Sequence, residues 1–189
     1  MTAQEAKASG QSFDDWVKGQ GVQRIEEPGV ATSFDKPQGL YTTPASVKSP
    51  HTDLGGIKTE YGIKPNAKEV VVDTSEFSKT PMQRGVDQMA TNLVWLRQAL
   101  PDVANSIRGK RFDELKTIFS KEFPKTEWSR YTETQDMIEG YAGLKARQQG
   151  IDVIRGIDKT SPEFSEVVIL NKNVIKTRSQ LKAEWDKIK

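Results

Sequence analysis

The feature of this sequence that most constrains its fold is a helical stretch, residues 80–149, which separates two groups of strand-like segments. Short apolar strand patterns precede it, the clearest at residues 68–73 (KEVVVD), and two more follow it at residues 151–156 (IDVIRG) and 165–170 (SEVVIL). Parallel α/β folds alternate strands with helices, whereas here the two types are segregated. The order predicts an α+β fold in which the helical stretch is an inserted subdomain between strands of one sheet.

Apolar periodicity and end signals divide the helical stretch into four predicted helices. The first begins at Thr80, and the last opens at Thr132, where Gln135 completes a capping-box pattern, and stops at Gly150. Further helices are predicted at both ends of the chain. The segment 20–68 is rich in glycine and proline and is expected to form loops and short strands.

Composition excludes several kinds of site. The 189 residues include no cysteine and a single histidine, His51, so disulfides, thiolate metal sites, a cysteine nucleophile and a histidine zinc cluster are excluded. A Ser-His-Asp triad would have to include His51, which lies in a glycine- and proline-rich segment. The formal net charge is +2, and the sequence has no basic block of the kind that binds nucleic acid. We therefore expect neither a metal nor a nucleic-acid partner.

Length and hydropathy predict a single domain over residues 1–189. No apolar run approaches the roughly 18 residues of a membrane-spanning helix, so no membrane partner is expected. The N-terminus, MTAQEAKASG, is too polar for a signal peptide. The expected environment is a reducing, aqueous compartment, or a particle assembled in one.

Five residues in short strand patterns are candidates for a functional site. Glu166 opens the apolar strand SEVVIL, and since burying an unpaired charge is costly, it either sits at the wet end of the strand or lines a cleft. In GLYTTP, the residues Tyr41, Thr42 and Thr43 form either a plain strand edge or a polar floor under a ligand, with an aromatic face for stacking. Arg24, in VQRIEEPG, is either a surface strand residue or a fixed guanidinium for phosphate or a ribose hydroxyl.

Three segments together carry a family resemblance: SGQSFDDWVKGQG, then SFDKPQGLYTTP, then GIDVIRGIDKTSPEFSEVVILNKNVIKT. They resemble the ADP-ribosyltransferase-like domains of bacteriophages and mobile elements, which often lie inside large polyvalent proteins. The resemblance covers residues 8–73 and 150–177, with the helical stretch as the variable middle of the family. Its most specific part is the glutamate followed by an apolar strand and then N…IK.

The resemblance implies a split, strongly bent, mixed β-sheet with NAD bound as substrate in its cleft. Carried over by position, Arg24 of the first strand holds the nicotinamide ribose or a phosphate. Tyr41, Thr42 and Thr43 of the second strand floor the nicotinamide pocket. Glu166 binds a ribose hydroxyl and stabilises the positive charge that develops on the sugar as the bond to nicotinamide breaks.

The function implied is that of a phage-type mono-ADP-ribosyltransferase that modifies a host protein. The expected location is the cytoplasm of the bacterial host, with delivery from the virion and contacts with other phage proteins as further expectations. The alternative is a catalytically inactive domain of the same fold, acting as a virion-associated or injected structural or binding protein. Two departures favour it: Gln23 and Ile25 flank Arg24, and Phe164 stands two residues before Glu166, where protein-modifying relatives often carry Glu or Gln.

Overall fold

A computed structural model of the chain describes residues 2–26, 39–46, 57–75, 94–162 and 165–188, without the side chains of residues 20–26, 57, 58, 94 and 95. These ranges combine helices with one mixed sheet, which confirms the α+β class. The helices are α1 (Ala3–Ala8), α2 (Phe13–Gln20), α3 (Val94–Ala99), α4 (Pro101–Ile107), α5 (Phe112–Glu122), α6 (Thr134–Gln148) and α7 (Arg178–Lys187). The strands are β1 (Gly21–Glu26), β2 (Leu40–Pro44), β3 (Ile57–Ile63), β4 (Glu69–Asp73), β5 (Val153–Ile157), β6 (Glu166–Ile169) and β7 (Ile175–Thr177).

The sheet divides along β2. Its strand order is β4-β5-β6-β2-β1-β3-β7, and every neighbouring pair is antiparallel except β4–β5, which is parallel. Residues Leu40 to Thr42 of β2 pair with β6, whereas Thr43 and Pro44 pair with β1. Each half of β2 therefore pairs with a strand from a different half of the sheet.

Helices α3 to α6 share one core with the strands instead of building a core of their own. Buried residues of the sheet, such as Val72, Ile154 and Val168, join one cluster with buried residues of the helices. The helical contribution to this cluster is Leu96, Leu100, Val103, Ala104, Ile107, Leu115, Phe119, Trp128, Met137, Ile138, Tyr141, Ala142 and Ala146. The described helices α3 to α6 lie between β4 and β5 in sequence, and their apolar face forms the main core together with the sheet.

The terminal helices pack against each other and against β3. Trp16 of α2 and Trp185 of α7 have ring centroids 5.4 Å apart, within a small cluster that also buries Leu181. A Cβ atom at Gly62 of β3 would come within 2.7 Å of Leu181 Cδ1, so the glycine permits the close approach of α7 to the sheet. Thr177 caps α7, since its backbone N–H donates to Gln180 Oε1 at 2.9 Å and its hydroxyl accepts from Gln180 N.

One local prediction differs from the structure. Helix α6 begins at Thr134 and its N-cap Glu133 makes no side-chain cap bond, so the predicted capping box of Thr132 and Gln135 is wrong. Strands β1, β2 and β3 lie within residues 20–68, where loops and short strands were expected. The predicted start of the first helix at Thr80, and also His51, fall outside the described residues.

Candidate active site on strands β2 and β6

Glu166 is the first residue of β6, and side-chain hydrogen bonds hold the connection that precedes it. The buried carboxylate of Asp158 accepts the backbone N–H groups of Thr160 and Ser161, each at 2.8 Å. The backbone N–H of Asp158 donates to Ser165 Oγ at 3.0 Å. Asp and Ser side chains that bond to nearby backbone in this way stabilise tight turns. These bonds tie Ser165, the residue before Glu166, to Asp158, which directly follows β5.

Tyr41 and Glu166 share a face of the sheet. In the β2–β6 ladder Tyr41 is opposite Val168, and residues opposite each other project to the same side. Glu166 lies two residues before Val168, and side chains two apart along a strand also share a side. The Tyr41 ring packs against the main core, where its hydroxyl oxygen is buried. The structure thus brings the predicted aromatic residue and the predicted glutamate to one face.

Thr42 lies on the other face of β2. Its side chain is buried, and its hydroxyl donates to the backbone oxygen of Val167, its partner in the ladder, at 2.7 Å. Because neighbouring side chains of a strand alternate, Thr42 and Tyr41 project to opposite sides. The structure therefore does not bring Thr42 together with Tyr41 and Glu166, and the Thr42 hydroxyl stabilises the sheet.

Thr43 and Arg24 lie at the junction of β2 with β1. Thr43 is half-buried, shares the side of Tyr41, and is opposite Gln23 in the β1–β2 ladder. Arg24, the next residue of β1, is opposite Thr59 of β3. The side chain of Arg24 lies outside the described part of the chain, so its contact with a ligand stays a prediction.

A second glutamate, Glu139 of α6, was not predicted and belongs to the same cluster. It follows the buried Ile138, and its carboxylate lies against the hydroxyl of Tyr41. Gln135, one helical turn earlier, donates from Nε2 to Glu139 Oε1 at 2.9 Å. The charge of Glu139 also acts on Glu166. The sequence signal for Glu139 is only its four-residue spacing from Gln135, which is common on ordinary helix surfaces.

Burial and repulsion between like charges raise the pKa values in this cluster. Burial, followed by the charges of Glu139 and Glu166, holds the pKa of Tyr41 well above its usual value, so the phenol stays protonated. Burial and then the Glu139 charge raise the pKa of Glu166. Burial is also the main cause of the raised pKa of Glu139; hydrogen bonds from Gln135 and Tyr41 lower it, and the charge of Asp136 raises it.

Glu166 lies where a ligand can reach it. Its side chain is exposed to solvent, and yet desolvation by surrounding protein atoms is the first cause of its raised pKa. Carboxylates that are accessible and have perturbed pKa values are common among catalytic groups.

Two groups of helices cover one face of the sheet, with β2 running between them. Thr43 and Glu60 are both register partners of Gln23, one on each side of β1, so they share that face. Glu60 accepts a hydrogen bond from Arg178 at the start of α7. The terminal helices therefore lie on the same face as α3 to α6, over the other half of the sheet.

Comparisons of the chain with protein-family models, with curated proteins and with solved structures find no match. Across the ranges that the structure describes, no three acidic or histidine side chains are arranged to hold a metal ion. None of the described helices is long and apolar enough to cross a membrane. The cluster of Tyr41, Glu139 and Glu166 is an electronegative site of the kind that stabilises a developing positive charge.

Proposed function

We propose that this protein is a phage-type mono-ADP-ribosyltransferase that moves ADP-ribose from NAD to a host protein, on a split sheet of the ADP-ribosyltransferase kind. The observation that carries the proposal is the sheet order β6-β2-β1. Glu166, Tyr41 and Arg24 are far apart in sequence, yet they belong to three adjacent strands. The resemblance requires these three strands to build one NAD site, and their adjacency supports it.

The electrostatics of the site suit the chemistry of NAD. The nicotinamide ring of NAD carries a positive charge, which passes to the sugar as the bond between nicotinamide and ribose breaks. An ionised Glu166, held at the start of β6 by the Asp158 turn, stabilises that charge where it forms. The carboxylate of Glu139 adds to the negative potential, and the ring of Tyr41 supplies an aromatic wall.

The division of the sheet along β2 also supports the proposal. Leu40 to Thr42 of β2 pair with β6 and Thr43 and Pro44 pair with β1, so the two ladders use different residues of this strand. A split sheet of this kind offers an opening for the nicotinamide end of NAD, between Thr43 on β2 and the start of β6. In this arrangement Arg24 of β1 binds a ribose hydroxyl or a phosphate.

The test is incubation of the purified protein with NAD labelled in its ADP-ribose part and a bacterial lysate. We expect label on at least one lysate protein, and release of free nicotinamide in proportion. The variant Glu166→Gln should give less label, and its matched control is Glu127→Gln. Glu127 is an exposed glutamate of the helical stretch that pairs with Arg130. If neither NAD binding nor nicotinamide release occurs with several lysates, the inactive, structural or binding domain becomes the better description.

A further inference from the structure

Glu139 differs from an ordinary surface glutamate of a helix. It is half-buried between the buried residues Ile138 and Gly140, and it contacts Tyr41 on the neighbouring sheet. Its carboxylate accepts a hydrogen bond from the neutral amide of Gln135 at 2.9 Å, and it lies close to the phenol of Tyr41. Neutral donors orient a carboxylate without neutralising its charge, so it stays able to take up a proton.

The two glutamates of the site have different surroundings. Hydrogen bonds from Gln135 and Tyr41 stabilise the anion of Glu139, whereas both causes acting on Glu166, burial and the Glu139 charge, disfavour its anion. Glu166 is exposed at the start of β6, while Glu139 projects from helix α6. Two carboxylates in different environments can take different parts in one reaction.

We propose that Glu139 is the base that accepts the proton of the acceptor group during ADP-ribosyl transfer, an inference that rests on the proposed function. In this step the bond from ribose C1′ to the nicotinamide nitrogen breaks, and its electron pair leaves with nicotinamide. A lone pair of the acceptor's nitrogen or oxygen forms the new bond to C1′. The proton of that nitrogen or oxygen passes to the Glu139 carboxylate and then to water, while Glu166 stays ionised beside the sugar.

The same arrangement limits the class of acceptor. A base is useful only to an acceptor that has an N–H or O–H proton to lose. The combined negative charge of Glu139, Glu166 and the neighbouring Asp136 disfavours a carboxylate acceptor. The acceptor is therefore a neutral or cationic side chain. The raised pKa of Glu139, caused chiefly by burial, brings it nearer to the working pH that a general base needs.

The experiment compares the full-length protein with Glu139→Gln and with Glu133→Gln. Glu133 is an exposed residue at the N-cap of the same helix and makes no side-chain cap bond. We expect Glu139→Gln to lower the rate of transfer by about a hundredfold or more, the usual contribution of a general base. The affinity for NAD, measured by calorimetry, should change far less, and Glu133→Gln should match the wild-type protein.

A purely structural role is separated from a catalytic one by the pH profile and by chemical rescue. The wild-type rate should rise with pH as Glu139 ionises, with Tyr41, Asp136 and Glu166 as the described titratable groups around it. In Glu139→Ala the limb should keep only the ionisation of Glu166 and become less steep, and added formate, a small external base, should restore part of the rate. Glu139→Asp, which keeps the carboxylate, should give an intermediate rate even if the Ala variant fails to fold.

Three further outcomes would contradict the role of Glu139 as the base. Wild-type transfer together with undiminished transfer by Glu139→Gln would overturn the role of Glu139 and leave the proposed function standing. A wild-type protein that neither binds nor cleaves NAD would overturn both. A labelled product that mass spectrometry shows to be attached to an Asp or Glu carboxylate would also remove the need for this base.

Discussion

Asp158 and Ser165 are joined across the β5–β6 connection by a hydrogen bond of 3.0 Å from the Asp158 backbone N–H to Ser165 Oγ. Both residues are buried, so the N–H group has no access to water when that oxygen is removed. We expect Ser165→Ala to lower the free energy of unfolding by about 1–3 kcal/mol, the cost of a buried donor without a partner. Urea denaturation measures the change.

The control for this prediction is Thr160→Ala. The Asp158 carboxylate bonds the backbone N–H of Thr160, and the exposed Thr160 side chain takes no part in that bond. The free energy of unfolding of Thr160→Ala should stay within about 0.5 kcal/mol of the wild-type value. Equal losses in the two variants would show that the Ser165 hydroxyl does not hold the turn.

Glu166→Gln tests whether the charge of Glu166, as distinct from its shape, serves the reaction. The substitution keeps the volume and removes the negative charge that the sugar cation needs. If NAD is cleaved here, transfer should fall by about two to three orders of magnitude, the usual loss for one preorganised electrostatic group. The affinity for NAD should change less, because the positive charge of the ground state is on the nicotinamide ring. Equal transfer by the variant and the wild type would remove Glu166 from the mechanism.

The raised pKa values of Glu139 and Glu166 predict how stability depends on pH. A carboxyl group whose pKa is higher in the folded than in the unfolded protein binds its proton more tightly when folded. Its contribution is therefore most favourable below the ordinary glutamate pKa of about 4.3, and it declines as the pH rises toward the raised value. We expect the wild type to lose stability over this window relative to the double variant Glu139→Gln, Glu166→Gln.

The measurement is the difference in the free energy of unfolding between the two proteins at several pH values from about 4 to 8. Taking the difference cancels other groups, such as Glu122, whose pKa is lowered because hydrogen bonds from Lys145 and Tyr141 outweigh the effect of burial. A difference that did not change with pH, or that moved in favour of the wild type as pH rose, would contradict the raised pKa values of Glu139 and Glu166.

Gly39 fixes the entry into β2. Its φ is +84°, and a Cβ atom there would lie 2.7 Å from the backbone oxygen of Ile169, which belongs to the ladder with β2. Gly109 has a similar φ of +71° but nothing within 4 Å of its Cβ position. Gly109→Ala should cost about 1–2 kcal/mol, from the left-handed backbone alone. Gly39→Ala should cost a further 1–3 kcal/mol or so, because the contact is with backbone that cannot move aside. Thermal or urea unfolding of both variants measures the two losses of stability. Equal losses would contradict the extra cost expected for Gly39→Ala.

Local sequence signals predict the helices and strands that local propensity and end signals determine. Strands β4, β5 and β6 are compact apolar runs, and α7 begins after a capping threonine, Thr177, so their positions follow from propensity and end signals. Strand β3, with the sequence IKTEYGI, has no such run. It is a strand because β1 pairs with one of its edges and β7 with the other, and β7 is distant in sequence.

The site was predictable to the extent that it lies on strands. Glu166 and Tyr41 interrupt apolar patterns, and this marks them as unusual in a sequence. Strand alternation also separates Thr42 from Tyr41, although the sequence resemblance grouped them together. Glu139 could not be found this way, because its importance depends on how α6 packs on β2 and β6. Helical periodicity identifies which residues are buried, and it carries no information on what their neighbours contact.

The parallel pairing of β4 with β5 has a consequence for the order of folding. Glu69 pairs with Val153 and Asp73 with Ile157, although the whole helical stretch lies between the two strands. Closing so long a loop costs entropy before any strand contact compensates for it. Helix contacts are local and form early, and α3 already holds β4 through Gln98, which bonds both the N–H and the C=O of Asp73. We therefore expect the helices to form the folding nucleus for this half of the sheet. In stopped-flow refolding and unfolding, Phe119→Ala should slow refolding, whereas Trp185→Ala in α7 should mainly hasten unfolding.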